Sequence, residues 1–536
     1  MDTEFFLKMK ENFEKCREQK QELDGRIIEN DLWYRSRHKL HNNEYFDGEM
    51  ITPSTDYLFS TLANKHADAM DNYPAPNILE REPADREVAE ALSKIIPAEL
   101  EIVEFKKIYS RAWWYKLKNG AAAYGIFYEP TASGGRGDIV ISNIDLLNIF
   151  WKNGVRNIQD SPYVFITNIE SADTLRESYP DKNIEINVSD ISSVRSYQGF
   201  TPDSDSALVV DCYYKKNGAL HLLKYTGDEI LYSSEDEGLP TLYDHGKYPI
   251  VIDAMYPIEN SPVGFGVIDI VKNPQTYIDK LDSIISRNAM IAGRPRWVVK
   301  DNGGINENEL LDLENDVVHV SGSVNDENIK QLQAKQLGSY ILEHRHSKIS
   351  EMKEIAGNRD FSTGGTGGGV TAYGAIVALQ QAGEKMVRDM ISESYESYKE
   401  IIQIMLELVR QFFDAERTFR ITGESGTEYV NFSGQTMGGG FYDDNAPTSF
   451  DVSVIPEKNN PFSKITANQT AMSLWNMGVF QKGREDEALA FLEMMSFDGK
   501  TSLKNYLLKR KEESTDVNRT GDRQSGSTVP QQLHVQ

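Results

Sequence analysis

The side chains best suited to chemistry are few, and each falls short of a working arrangement. Gly364, Gly365, Gly367, Gly368 and Gly369 occupy five of six consecutive positions, close to Ser362, Thr363 and Thr366. Backbone amides in such a run can cradle phosphate. A nucleotide-binding loop, however, needs Lys-Ser/Thr directly after its last glycine, and here Val370-Thr371 follows. Gly499-Lys500-Thr501 supplies that ending, but Met494 stands where the first glycine belongs. His344 and His346 are two residues apart, which on a helix points them about 200° from each other and off any shared metal face. Asp203-Ser204-Asp205 opens like a calcium loop but lacks the central glycine and closing glutamate, leaving a polar turn. Arg136-Gly137-Asp138, after Gly134-Gly135, reads as a hairpin turn. There is no Gly-x-Ser-x-Gly elbow and no Cys/His nucleophile pair. Cys16 and Cys212 stand in segments without metal-ligand spacing, so a reducing compartment is the simpler reading. No cofactor is implied.

Charge is distributed more tellingly. The 536 residues include 82 Asp and Glu against 57 Lys and Arg, a formal net charge of −25. The chain as a whole repels a polyanion and cannot hold nucleic acid by wrapping it in positive charge. Yet Ser286 to Lys300 carries four bases (Arg287, Arg294, Arg296, Lys300) and no acid, whereas Asp301 to Asn328 carries eight acids and no base. The stretch from Gln331 to Arg359 sets Lys335, Arg345, Lys348, Lys353 and Arg359 against Glu343, Glu351 and Glu354. Solvated helix faces with inter-helix ion pairs explain this pattern about as well as a functional surface does.

Periodicity indicates the elements that position these residues. The length predicts two to four domains, and 39% hydrophobic residues give enough apolar surface to fold them. The first twenty residues lack the apolar core of a signal or transit peptide, and no window of about 18 apolar residues exists to span a bilayer. Phe5, Phe6, Met9 and Phe13 predict a first helix. Leu58, Leu62, Ala63 and Ala69 predict a second, which Pro74 and Pro76 end. Two more helices are expected, from Ala84 to the mid 90s and from Ala98 to Gly120. Between about 121 and 256 short strands dominate, at 125–128, 139–141, 163–166, 208–210 and 220–223. Helical period returns near Gly264 and runs to about Gly293, with Asn273-Pro274 as N-cap and first-turn proline. A compact insertion from Arg296 to about Lys330 follows, its strands Trp297–Val299 and Val317–Val320 flanking a small helix, Glu307–Leu313. A returning helix covers about 331–356, and the glycine run then forms a mobile loop. Thr371 to about Asp414 reads as one long helix, 417–456 as strands and 465–511 as helical, ahead of a disordered polar tail from Glu512.

Helix, compact insertion, returning helix, Gly/Ser/Thr-rich loop and a very long helix beginning VTAYGAIVALQQAG at 370–383 form an order that resembles the portal proteins of tailed bacteriophages. The segments NKHADAMDNYPAP at 64–76 and YGIFYEP at 124–130 are similar to portal sequences as well, and the likeness extends over roughly 25–510. The resemblance implies an α+β portal fold assembled as a ring of twelve at one capsid vertex, through which DNA is packaged and later ejected. It maps a wing to 1–263, stem helices to 264–293 and 331–357, a clip to 294–330 and a tunnel loop to 358–370. A long wing–crown helix would follow at 371–414, a β-rich wing return at 415–460, a helical crown at 461–511 and a tail at 512–536.

On that map Lys335, Arg345, Lys348, Lys353, Arg359, Ser362, Thr363 and Thr366 are the DNA-channel candidates, and Gly364, Gly365, Gly367, Gly368 and Gly369 give the tunnel loop its freedom. Arg294, Arg296, Trp297, Glu307, Glu309, Asp312, Glu314 and Asp316 are clip-interface candidates. The implied partners are further copies of the chain, the terminase large subunit, a head–tail adaptor, the major capsid and scaffolding proteins, and double-stranded DNA bound without sequence preference. No membrane is involved; the implied location is the virion, with assembly in the host cytoplasm. No ATPase motif is complete, so the motor is a separate protein and this chain is not an enzyme. Two other readings stay open at this point: a nuclease or other hydrolase, which needs clustered carboxylates around a metal, and another structural virion part such as an adaptor or baseplate protein.

Overall fold

The computed structural model describes residues 3–37, 55–184, 205–293, 296–299, 329–332, 337–357, 385–423, 426–437, 450–458, 461–477 and 485–495, with isolated positions elsewhere. The chain is mixed α+β. Helix Thr3–Gln19 buries Phe6, Met9, Phe13 and Cys16, the one face that helical spacing groups together. That face lies on a five-stranded antiparallel sheet ordered Ile149–Trp151, Tyr163–Ser171, Ser206–Lys216, Ala219–Thr226 and Glu229–Ser233. Phe13 meets Phe150 and Phe165 with ring centroids 5.2 and 5.4 Å apart. Cys16 and Cys212 are free thiols inside this apolar cluster. Burial pushes the Cys16 thiol up to about 11 and the Cys212 thiol well above its ordinary value, so both are inert.

A second layer is a three-stranded antiparallel sheet, Asp138–Ile144, Ala121–Glu129 and Ile250–Ala254, packed against helix Phe105–Asn119 and the long helix Lys385–Phe412. Its core is aromatic: Phe105, Tyr109, Trp113, Tyr124 and Tyr398 are all buried. Tyr128 stacks on Phe412 with centroids 4.0 Å apart and planes within 6°.

Prolines depart from the sequence expectations. Pro97 lies inside helix Arg86–Ile102, so the break falls after Ile102, where Glu104 takes a left-handed φ of 53°. Burial of Leu92, Ile95, Ile96 and Leu100 offsets the hydrogen bond the proline cannot donate. Pro274 is likewise internal to helix Val267–Gly293, which starts earlier than Asn273 because Val267, Ile268 and Val271 are buried and the Asp269 carboxylate accepts from the Gly266 N–H at 2.9 Å. Pro74 and Pro76 do end helix Tyr57–Asp71, but they sit in strand Asn72–Glu80, antiparallel to Phe450–Lys458 with Pro74 opposite Pro456. Spaced by two, both prolines can occupy positions whose N–H is not used by the single partner strand.

The insertion also differs. Arg296–Val299 pairs antiparallel with Ile329–Leu332. Gln331 is therefore a strand residue, and the returning helix is Ser339–Ile355. Val317–Val320, Glu307–Leu313, the glycine run, 371–384 and 512–536 lie outside the described residues. The hairpin Arg417–Gly423/Gly426–Phe432 and helices Pro461–Asn476 and Glu485–Met494 fall where strands and helices are expected.

Candidate functional site

The longest construction built from the charge-segregated region is a pair of helices, Val267–Gly293 and Ser339–Ile355, packed side by side and connected through the ribbon of Arg296–Val299 and Ile329–Leu332. Its base is fixed by buried polar groups. Gln275, fully buried, donates to the Thr55 carbonyl at 2.9 Å and to Asp279 at 3.0 Å. Asn30 donates to Asp269 at 3.1 Å and to the Lys118 carbonyl at 3.0 Å, while Arg26 donates to the Gly264 carbonyl at 2.7 Å. The backbone fits as closely: a Cβ on Gly266 would stand 2.7 Å from the Leu117 carbonyl oxygen and 2.9 Å from the Gly120 nitrogen.

Further along, the helices are joined by charge and rings. Arg345 donates from Nε and Nη2 to both carboxylate oxygens of Asp282, the second contact at 3.0 Å. His344 meets the Tyr277 ring edge-on at 5.8 Å, and the Lys348 ammonium lies 5.6 Å from the same ring's centroid. The outer surface remains apolar in places: Tyr277 is 47% exposed, Ile284 48%, Met290 51% and Tyr340 70%. Tyr277 and Ile284 are seven residues apart, which places them along one side of their helix.

The channel candidates separate on this frame. Arg345 is committed to Asp282 inside the pair of helices. Lys348 bonds Glu351 at 2.6 Å on its own helix and is largely covered. Lys353 lies half-buried one turn further on. Arg296 and Trp297 belong to the ribbon strand. Lys335, Arg359, Ser362, Thr363, Thr366, the five glycines, Arg294, Glu307, Glu309, Asp312, Glu314 and Asp316 lie outside the described residues. His344 and His346 are both exposed, and of the two only His344 is found against the Tyr277 ring, in keeping with a spacing that points them to different sides of the helix.

Sequence reasoning missed a buried ionic cluster beside this region. Lys116, with no side-chain exposure, donates to Asp253 Oδ1 at 2.7 Å and to Ser394 Oγ at 2.6 Å. Ser394 in turn donates to Asp253 Oδ2 at 2.7 Å, and Ser397 donates to Oδ1 at 3.3 Å. Three elements, helix Phe105–Asn119, strand Ile250–Ala254 and the long helix, are thereby pinned together. The available signal was a lysine inside the aromatic run AWWYKL and an aspartate inside the apolar strand IVIDAM. Among the described residues no three His, Cys, Asp or Glu side chains converge as metal ligands, and no helix is long and apolar enough to cross a membrane.

A protein-family model described as phage P22-like portal protein matches residues 214–535, from the end of strand Ser206–Lys216 through both paired helices, the long helix and the C-terminal helices. No curated protein matches the chain.

Proposed function

The chain belongs to the P22-like phage portal protein family, a family of structural components of the phage virion, and from that premise we propose that it closes into a twelve-membered ring at a unique capsid vertex and serves as the conduit for DNA packaging and ejection. The paired helices act as the stem and their ribbon as the start of the clip, where a terminase motor docks first and a head–tail adaptor later. The N-terminal helices and sheets form the wing, facing capsid and scaffolding proteins, and the helices after residue 461 form the crown.

The observation that carries this reading is the chemistry of the two stem helices. Arg345 is neutralised internally by Asp282, while Ile284, Met290 and Tyr340 are about half exposed or more and Tyr277 keeps 47% of its surface exposed beside His344 and Lys348. Exposed apolar side chains on a pair of helices call for a covering surface, and identical neighbours in a closed ring supply one. A conduit must also let DNA slide. Each phosphate contact adds salt-sensitive affinity that would stall it, and twelve copies carry a formal charge of about −300, which keeps DNA off the walls except at local bases. Lys348, Lys353, Lys335, Arg359 and the hydroxyls of Ser362, Thr363 and Thr366 are the groups proposed to meet it.

Native mass measurement and electron-microscope class averages of the purified chain test the reading. Closed rings with a central opening are expected at high protein concentration. Monomers and dimers alone, across salt and concentration series, refute it.

A further inference from the structure

Outside the stem, the long helix Lys385–Phe412 forms one wall of a groove of about 370 Å³, opposite the turn at Arg156–Ile158 and the segment Pro257–Pro262. The size falls within the range of about 300–1,000 Å³ typical of ligand pockets. Its floor is apolar, built from Ile158, Ile252, Ala254 and Pro262, with Ile258 39% exposed at the lip. Its helical wall presents Glu393, Glu396 and Glu400, and Glu259 stands across from them.

The compensation of these charges is incomplete. Arg156 pairs with Glu259, and Lys399 pairs with Glu396 at 3.2 Å. Glu393 and Glu400 make no ion pair among the described residues, and the Glu400 carboxyl is held above its ordinary value by desolvation and by Glu396, against the opposing pull of Lys247. Glu393 and Glu400 are seven residues apart on a helix, or about 10 Å along its axis. A chain in the polyproline II conformation covers about 9 Å in three residues and brings every third side chain to the same side.

We infer that this groove is a docking site for a basic segment of a partner protein, one whose Lys or Arg side chains lie about 10 Å apart and meet Glu393 and Glu400 while an apolar side chain between them seats on Ile158, Ile252 and Ile258. The carboxylates select the charge, and the branched apolar floor selects a protein side chain over a bare alkylammonium. The site also sits on the buried cluster, since Ser397 both lines the groove and donates to Asp253. The inference stands or falls independently of ring assembly.

The probe is a fluorescein-labelled twelve-residue peptide of Lys-Leu-Ser repeats, compared with one in which every Leu is Ser, at equal charge. Fluorescence anisotropy at physiological salt is expected to show at least tenfold weaker binding of the Leu peptide to Glu393→Gln/Glu400→Gln and at least fivefold weaker binding to Ile258→Ser. The control Glu22→Gln/Glu87→Gln, which removes the same charge on helices outside the groove, is expected to bind like the parent chain. Equal losses in the control pair reduce the effect to net charge and overturn the inference. Equal binding of the Leu and Ser peptides overturns it as well, as does full competition by spermidine at the peptide's own affinity, which reassigns the groove to small polyamines.

Discussion

Replacing Lys116 by Met is the most direct test of how the body of the molecule is held together. Methionine keeps most of the stem's volume and removes only the ammonium, leaving the Asp253 carboxylate, 2% exposed, with the Ser394 and Ser397 hydroxyls as its remaining donors. Breaking a buried pair from one side costs about 3–5 kcal/mol, because an uncompensated charge stays behind. Replacing both partners, Lys116→Met with Asp253→Leu, removes that charge, and Ser394 can turn to the Met390 carbonyl one helical turn back. The double variant should therefore lie within about 2 kcal/mol of the parent chain. Urea unfolding followed by tryptophan fluorescence measures this, with Trp113, whose ring lies 4.9 Å from the Lys116 ammonium, as one of the six tryptophans that contribute. A single variant within about 1 kcal/mol of the parent, or a double variant less stable than the single, refutes the reasoning, because the pair would then not be coupled.

Three further outcomes follow from other sites. Glu99, 2% exposed, is pushed up from 4.5 to about 7 by burial and by Asp138, against the pull of Arg417. Its folded form holds a proton that its unfolded form releases, so this contribution to stability is complete below about pH 4.5 and is lost as pH rises through about 7. Glu99→Gln should flatten that slope in melting temperatures measured from pH 5 to 8, and an unchanged slope counts against it. Gly120→Ala should destabilise by at least about 2 kcal/mol in thermal melts, since φ is +87° and the new Cβ would stand 2.4 Å from the Phe265 carbonyl carbon. Asp282→Asn should cost about 1–3 kcal/mol and raise hydrogen exchange selectively in Val267–Gly293 and Ser339–Ile355, whereas an increase spread evenly over the chain would show that Arg345 does not join them.

Where burial repeats with the local period, the sequence was legible. Of the residues whose spacing predicts the first helix, Phe6, Met9 and Phe13 line its buried face, with Phe5 half-buried and Cys16 added by the structure, and the succession of paired helices, long helix and strands is readable because each element carries its own apolar rhythm. The net charge of −25 likewise ruled out a DNA-wrapping protein without reference to any fold.

What only the tertiary structure decided are the places where a distant partner outweighs a local rule. Pro74 and Pro76 read as helix breakers, yet the Asn72–Glu80 strand exists because Phe450–Lys458, far along the chain, supplies its ladder. A break is expected between the mid 90s and Ala98 and a helix start at Asn273-Pro274, yet buried faces on either side carry both helices through Pro97 and Pro274. Trp297 pairs in the ribbon with Gln331, a residue whose local pattern reads as the start of the returning helix. Lys116 and Asp253 stand inside apolar runs that hint at burial, but nothing in one dimension names the partner of either. Their pairing, and the acidic wall beside it, arises only when three elements converge, because the energy of a buried charge is set by what surrounds it in space.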